Sequence, residues 1–230
     1  MTIVSKNEYL WRFFEGRVYD FEDLKLPFVV PVIESLNYAA HKPVAIDVGG
    51  GNCSIVHSAR LPRPRYFKTA TVDIAARLHG YEPINPTIKA NVADIVTGTD
   101  DTALKSLHDF LLDATEPGKP VGADLIVYSE ILNYIDFRNV MHWFDQLLKP
   151  GGYTVIANLA TRGWPNLFSD NGVKSHEELL DFVRNDLGHE IVAQEYPWNA
   201  TDDYEGFMVL ATQKPGVKSH EHEDHDNAYA

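Results

Sequence analysis

Cysteine occurs once in the 230 residues, as Cys53. An internal disulfide is therefore impossible, and the usage points weakly to a reducing, cytoplasmic setting. No Cys/His set has the spacing of a structural zinc site. His220, His222 and His225 cluster near the end of the chain. They fall in a polar stretch with no scaffold to hold them, so they read as a solvated tail, and no metal is expected. Long apolar runs are missing too: none approaches the about 18 residues of a membrane span. Charges at Lys6, Glu8 and Arg12 leave no hydrophobic leader segment, and no membrane association is expected. Positive charge is scarce, with 20 Lys and Arg against 33 Asp and Glu and a net charge of −13. So acidic a chain is repelled by phosphate backbones, which argues against a nucleic-acid partner. The one local basic group, Arg60, Arg63, Arg65 and Lys68, reads as a solvated loop. Finally, Gly-Lys-Ser/Thr does not occur, which excludes a P-loop nucleotide hydrolase.

The stretch that carries most functional information is Val44-Ala-Ile-Asp-Val-Gly-Gly-Gly-Asn-Cys-Ser54. Its apolar start suits a buried parallel strand. Three glycines then strip side chains from the point where the chain turns into a helix, so that a ligand can lie against the backbone. Asp47 stands just before them. A dinucleotide site usually has Gly-x-Gly-x-x-Gly or Ala, with an acid roughly 20 residues on. Here Gly49 and Gly51 fit that pattern, but Ser54 takes the third position, and a carboxylate at Asp47 would repel phosphates. An acid beside a glycine turn suits instead a phosphate-free ligand bearing an ammonium, a sulfonium and a ribose.

Further strand-like segments repeat this arrangement. Thr69-Ala-Thr-Val-Asp73 is a second strand ending in an acid, at the spacing where a carboxylate accepts both ribose hydroxyls. A short third strand, Thr87 to Asn91, precedes Asp94. Ala123 to Ser129 reads as a fourth strand, and Leu148-Lys-Pro-Gly-Gly-Tyr-Thr-Val-Ile-Ala-Asn158 as the end of a helix, a turn and a fifth strand.

Together these segments resemble the class I S-adenosylmethionine-dependent methyltransferases over residues 17–213. Asp47-Val-Gly49-Gly-Gly51 is similar to the family's Asp-x-Gly-x-Gly-x-Gly, with Cys53 in place of the last glycine. The run from Arg60 into Thr71-Val-Asp73-Ile74, the segment Asn91-Val-Ala-Asp94-Ile95, and Leu148-Lys-Pro-Gly-Gly152 resemble further motifs in the same order. Ser129-Glu-Ile-Leu-Asn-Tyr-Ile135 resembles the segment after the fourth strand, but Asn133-Tyr134 stands where Glu-His often does.

The resemblance implies an α/β fold: a Rossmann-like, doubly wound, seven-stranded, mostly parallel sheet with an antiparallel last strand and helices on both faces. It implies S-adenosylmethionine as cofactor and S-adenosylhomocysteine as product. The cofactor residues it implies are Tyr19, Asp47, Gly49, Gly50, Gly51, Asn52, Asp73, Ile74, Asp94, Ile95, Ser129 and Glu130. Within this set the glycines lie against the methionine portion, Asp47 helps bind the ammonium, Asp73 holds the ribose with Ile74 packed on adenine, and Asp94 with the Ile95 amide meets the adenine edge. Glu130 has a second reading, as a carboxylate serving a helix N-terminus.

The length suits one domain, burying roughly 70–75% of its unfolded surface. Residues 1–26 form an aromatic segment opened by the capping box Ser5-Lys-Asn-Glu8. It reads either as a lid or as a helix packed permanently on the domain, and its Trp11 and Phe14 are candidate acceptor contacts. Residues 27–213 form the cofactor domain, beginning with a core helix at Pro27–Ala40, and residues 214–230 are a disordered acidic, His-rich tail. Further helices are expected over 101–112, over 136–148, and after the capping box Ser175-His-Glu-Glu178, with Gly188 at the far end of the last. Glu190–Glu195 and Phe207–Thr212 read as the final hairpin. The loop after the fifth strand is long and leaves the ligand-binding end of the sheet. Asn158, Arg162 and Trp164 are accordingly candidate walls of the acceptor pocket. Tyr134, at the rim after the fourth strand, is the candidate catalytic residue. The favoured function is methyl transfer to a small molecule. The alternative is a protein of this fold that binds the cofactor without transferring methyl, in a scaffold or binding role or in a different reaction, since fold does not fix function.

Overall fold

Near-continuous apolar runs between turn signals give strands covered on both faces. Val44–Val48 (β1) is buried throughout, and Lys68–Asp73 (β2) at all but its first position. The computed structural model describes residues 42–50, 68–73, 87–129, 131–161, 169–196 and 204–216. In it, Thr87–Lys89 (β3), Ala123–Ser129 (β4), Leu148–Thr161 (β5), Glu190–Glu195 (β6) and Tyr204–Gln213 (β7) complete one seven-stranded sheet. The strand order is β3-β2-β1-β4-β5-β7-β6. The pairs among β1 to β5 are parallel, and β7 runs antiparallel to both β5 and β6. This is the architecture expected from the sequence. From β1 the chain builds outward through β2 and β3, then crosses back to place β4 on the other side of β1. Ligand crevices in open α/β sheets form at such a reversal, beyond the carboxyl ends of the strands.

The helices start at side-chain caps. Asn91 accepts from the Ala93 amide at 3.0 Å and opens Val92–Thr97 (α1), which Gly98 closes in the left-handed region. Asp100 caps Asp101–Ala114 (α2), which buries Ala103, Leu107, Leu111 and Ala114 at helical spacing. Asp136 caps Phe137–Asp145 (α3), which buries Phe137, Val140, Met141 and Phe144. Ser175 accepts from the Glu178 amide at 3.1 Å to open His176–Asp181 (α4), continued by a π-helical turn over Phe182–Asp186. Glu178 reaches back to the Lys174 amide, so the reciprocal half of this capping box is displaced by one residue.

Several boundaries differ from expectation. The third strand stops at Lys89 instead of Asn91, because Asn91 is recruited as the cap of α1, a helix that the sequence reading omits. The helix expected to end at Leu148 ends at Asp145, and Leu148 already pairs with Ala123. The register then passes to Leu125↔Tyr153, so the Pro-Gly-Gly turn sits inside β5 as a bulge. Lys68, grouped above with the loop arginines, donates to the Ala114 carbonyl at 2.7 Å, a C-terminal cap for α2. The Pro27–Ala40 helix and the 1–26 segment lie outside the described residues.

A buried polar network closes the amino-terminal end of the sheet. The Asp145 carboxylate meets His189 Nε2 at 2.9 Å and accepts from Lys214 Nζ at 2.9 Å. An ionised carboxylate only accepts, so His189 Nε2 carries hydrogen, and a neutral ring takes the Thr212 hydroxyl proton at Nδ1, 3.1 Å away. Lys214, the first residue of the expected tail, is thus fastened to the domain. Burial alone would raise the Asp145 pKa, but the hydrogen bonds from His189 and Lys214 and the lysine's charge outweigh it and hold the carboxyl below its usual value. Burial, reinforced by the Asp145 charge, pushes the nearby Tyr128 phenol well above its own.

Because the folded-state pKa of Asp145 is depressed, its stabilisation is complete above the unfolded-state value and is lost as pH falls through the folded one. Asp145→Asn is expected to lower unfolding free energy by about 1–3 kcal/mol near neutral pH. Urea titrations should show that difference narrowing as the solution is acidified below about pH 4, the ordinary carboxylate range. A pH-independent difference would contradict the assignment.

Candidate active site

The site is built on the carboxyl ends of β1, β2 and β4. Val48 pairs with Val72 on one side and Tyr128 on the other, so Asp73 and Ser129 end their strands level with Gly49. Gly49 adopts φ 81°, a region that side chains disfavour, and its amide donates to the Val72 carbonyl at 2.9 Å. Asp47 is fully buried, and Asp73 is 8% exposed. Burial of a carboxylate is costly without polar company, and both acids engage in such interactions.

Gly50 has a specific steric reason. A Cβ there would lie 2.7 Å from Asp47 Cγ and 2.9 Å from each carboxylate oxygen. The Asp47 carboxylate is packed directly against the turn, which leaves no room for a side chain at Gly50. Two acids flanking a bare glycine turn would repel a pyrophosphate but suit ammonium and hydroxyl donors. The residues present therefore match the chemistry of an adenosyl sulfonium amino acid.

On the β3 side the structure departs from the sequence reading. Asp94 lies in the first turn of α1 with an exposed side chain, not at a strand tip. The Ile95 side chain is 1% exposed in the core, and its amide donates to the Asn91 carbonyl at 3.3 Å. Beside the Asp73 tip the chain runs through Ala90, whose amide donates to the Asp73 carbonyl at 3.1 Å, into Asn91, the cap of α1. Its signal in the sequence was the preference of Asn for helix N-caps.

On the β4 side, Tyr134 is half-buried in the turn after β4, packed against the core, with its amide bonded to the Ile131 carbonyl at 2.9 Å. Asn158, expected to line the acceptor pocket, is fully buried within β5, in register with Met208 of β7, and donates from Nδ2 to Asn133 Oδ1 at 2.8 Å. Asn133 is itself 3% exposed. The sequence reading assigned Asn133 no role, because its partner lies 25 residues away on another strand. The predicted residues Trp11, Phe14, Tyr19, Gly51, Asn52, Ile74, Glu130, Arg162 and Trp164 lie outside the described residues.

An open groove of about 420 Å³ is lined by Arg138, Ser175, Glu178, Asp181 and Asp186. It holds none of the predicted site residues and lies on the α3–α4 flank. Among the described residues, no group of three or more His, Cys, Asp or Glu is placed to hold a metal ion, and no helix is long and apolar enough to cross a membrane.

Overpacking a close contact costs about 1–3 kcal/mol, which lowers the melting temperature by roughly 2–12 °C at this size. Gly50→Ala should show such a fall by calorimetry, because the new methyl must displace either the turn or the Asp47 carboxylate. A variant melting with the wild type would remove the steric account of this glycine.

No protein-family description and no curated protein sequence matches the chain. Solved structures do. Magnesium protoporphyrin IX methyltransferase (ChlM) from Synechocystis PCC 6803, with bound SAM, matches at TM-score 0.52 and 10% identity, covering 93% of this chain and 99% of that one. The 1,6-didemethyltoxoflavin-N1-methyltransferase of Burkholderia thailandensis, with 1,6-didemethyltoxoflavin and S-adenosylhomocysteine, matches at 0.51 and 13%, covering 94% and 92%. The N-methyltransferase NodS of Bradyrhizobium japonicum WM9, with S-adenosylhomocysteine, matches at 0.50 and 12%, covering 92% and 94%. Strand order, the antiparallel β7 and near-complete mutual coverage agree: this chain has the fold of the class I S-adenosylmethionine-dependent methyltransferases.

Proposed function

We propose that the protein transfers the methyl group of S-adenosylmethionine to a small-molecule acceptor and releases S-adenosylhomocysteine. The observation that carries this reading is the fully buried Asp47 carboxylate against the Gly49–Gly50 turn, with Asp73 at the adjacent strand tip. Similar structures hold this cofactor or its product, and two of them are named for methylating a small molecule, magnesium protoporphyrin IX and 1,6-didemethyltoxoflavin. The net charge of −13 disfavours nucleic acid as the acceptor.

When bound, the cofactor supplies an electrophilic methyl carbon on a positively charged sulfur. In this reading the glycine turn receives the methionine portion, and Asp47 offers negative charge to its ammonium. Asp73 accepts from the ribose hydroxyls. Asp94, exposed in the first turn of α1, accepts from the adenine amine with the Ile95 amide beside it, and Asn91 caps the helix that carries both. Tyr134 orients the acceptor at the rim and takes its proton where one must leave. Holding the acceptor in line with the methyl carbon is the main catalytic demand, because alignment alone removes much of the barrier.

Loss of a hydrogen-bonding carboxylate costs about 1.5–3 kcal/mol, so Asp73→Ala should weaken S-adenosylhomocysteine binding by roughly 10–100-fold in calorimetry, with the circular dichroism spectrum retained. Unchanged affinity would reject the ribose assignment. With methyl-labelled cofactor and a panel of small aromatic amines and phenols, the wild type should pass label to an acceptor. Tyr134→Phe should lower that transfer by about 100-fold or more if the phenol moves the proton, with cofactor affinity unchanged. Tight cofactor binding with no transfer to any acceptor would favour a binding role instead.

A further inference from the structure

The turn after β4 is held by interactions that neither its local sequence nor the cofactor cleft requires. Asn133 takes the Asn158 amide through its side chain, and its own carbonyl accepts from the Ser169 amide at 2.9 Å. Val173 donates to the Leu132 carbonyl at 3.0 Å, and Phe137 donates to the Asn171 carbonyl at 3.3 Å. Asn171 Nδ2 adds a bond to Asp136 at 3.1 Å. Gly172 is pressed so closely against this turn that a Cβ would lie 2.3 Å from the Asn133 carbonyl oxygen. The turn is thus zipped along its length to residues 169–173 and pinned at Asn133 to Asn158 within β5. Polar side chains buried to 0% and 3% exposure are an expensive way to join two segments that apolar contacts could join. Unlike apolar packing, a hydrogen bond between two buried amides fixes direction as well as distance.

Tyr134 is the next residue along the chain. We propose that the Asn133–Asn158 amide pair is a positioning device: it sets the orientation of the Tyr134 turn and its docking on 169–173, and so shapes the acceptor side of the cleft without contributing to cofactor affinity. The inference rests on the methyltransferase reading for the meaning of that side, but the device itself is read from the geometry alone. Asn133 contacts no reacting atom in this scheme; it acts through Tyr134.

The test compares Asn133→Leu, which removes the acceptor for Asn158, with Asn133→Asp, which keeps an acceptor oxygen at the same place. Gly172→Ala serves as an independent variant, forcing the two segments apart without touching either amide. Amide hydrogen exchange is followed by NMR on the full chain, and S-adenosylhomocysteine affinity by calorimetry. Asn133→Leu and Gly172→Ala should speed exchange at Ser169 and Val173 by about tenfold or more, while the amide of His189, bonded to the Val183 carbonyl at the far end of the sheet, stays at the wild-type rate. Asn133→Asp should remain within about threefold of wild type at Ser169 and Val173, as expected where the acceptor oxygen is what matters. Affinity for S-adenosylhomocysteine should stay within about threefold in all three variants, a change below 1 kcal/mol.

Uniform acceleration across the molecule would overturn the proposal, since it would reveal general destabilisation. Failure of Asn133→Asp to retain protection would overturn it as well. A loss of cofactor affinity comparable to that of Asp73→Ala would move Asn133 into the cofactor cleft and also overturn it. A wild type that does not bind S-adenosylhomocysteine at all would instead refute the methyltransferase reading, whatever the exchange rates.

Discussion

A carboxylate buried without solvent at the tip of a central strand constrains everything around it. Asp47 is flanked on both sides by paired strands, with Thr71 in register on β2 and Val127 on β4. Its charge cannot be relieved by water, so the local backbone must accommodate it. The consequence is visible at Gly50, where any side chain would collide with the carboxylate, and at Gly49, where the chain takes a left-handed conformation to leave the strand. The same tight turn keeps bare backbone facing the crevice at the point where strand order reverses. Glycine placement and local electrostatics at the turn therefore follow from one residue's position.

The two ends of the sheet solve different problems. At the amino-terminal end, ionic groups act as fasteners. Lys149 bridges to Asp124, which also accepts from the Val44 amide, while Asp145 gathers His189 and Lys214. Removing one partner of such a pair would leave an uncompensated charge with little access to water, so each partner keeps the other's segment in place. At the carboxyl-terminal end, the link between β5 and the turn after β4 is made by neutral amides, Asn133 and Asn158. A neutral pair imposes direction without adding a local charge.

Legibility in the sequence divides along the range of the interactions. β1, β2, β4 and β6 were readable because continuous apolar runs or alternation bounded by turn residues depend only on neighbours. Glu190–Glu195 was expected at its observed limits. The acids Asp47 and Asp73 were readable because each sits at a strand end. Errors arose where one residue serves two elements. Asn91 follows a strand and caps a helix, and the capping role shortens β3. Leu148 ends a helical pattern and begins a strand, and pairing with Ala123 decided for the strand. Lys214 carries no pattern at all; only the folded chain brings it to Asp145. The Asn133–Asn158 contact belongs to the same class, since two asparagines 25 residues apart have no periodicity to reveal them.

These misses share a physical origin that bears on function. Core strands are specified by hydrophobic burial, which is non-directional and tolerant, so many sequences encode the same sheet. That tolerance is why solved structures at 10–13% identity match nearly the full length of this chain while their sequences offer little guidance. Directional contacts are less tolerant, because a displaced donor leaves a buried acceptor unsatisfied. Variation in what this fold does should therefore concentrate in its directional contacts rather than in its core. On the carboxyl-terminal side of this chain's sheet, beyond the strand-end acids, directional contacts join the turn after β4 to the segment from Ser169 to Val173. The chemistry particular to this protein is accordingly sought there, on the side of the crevice away from the glycine turn.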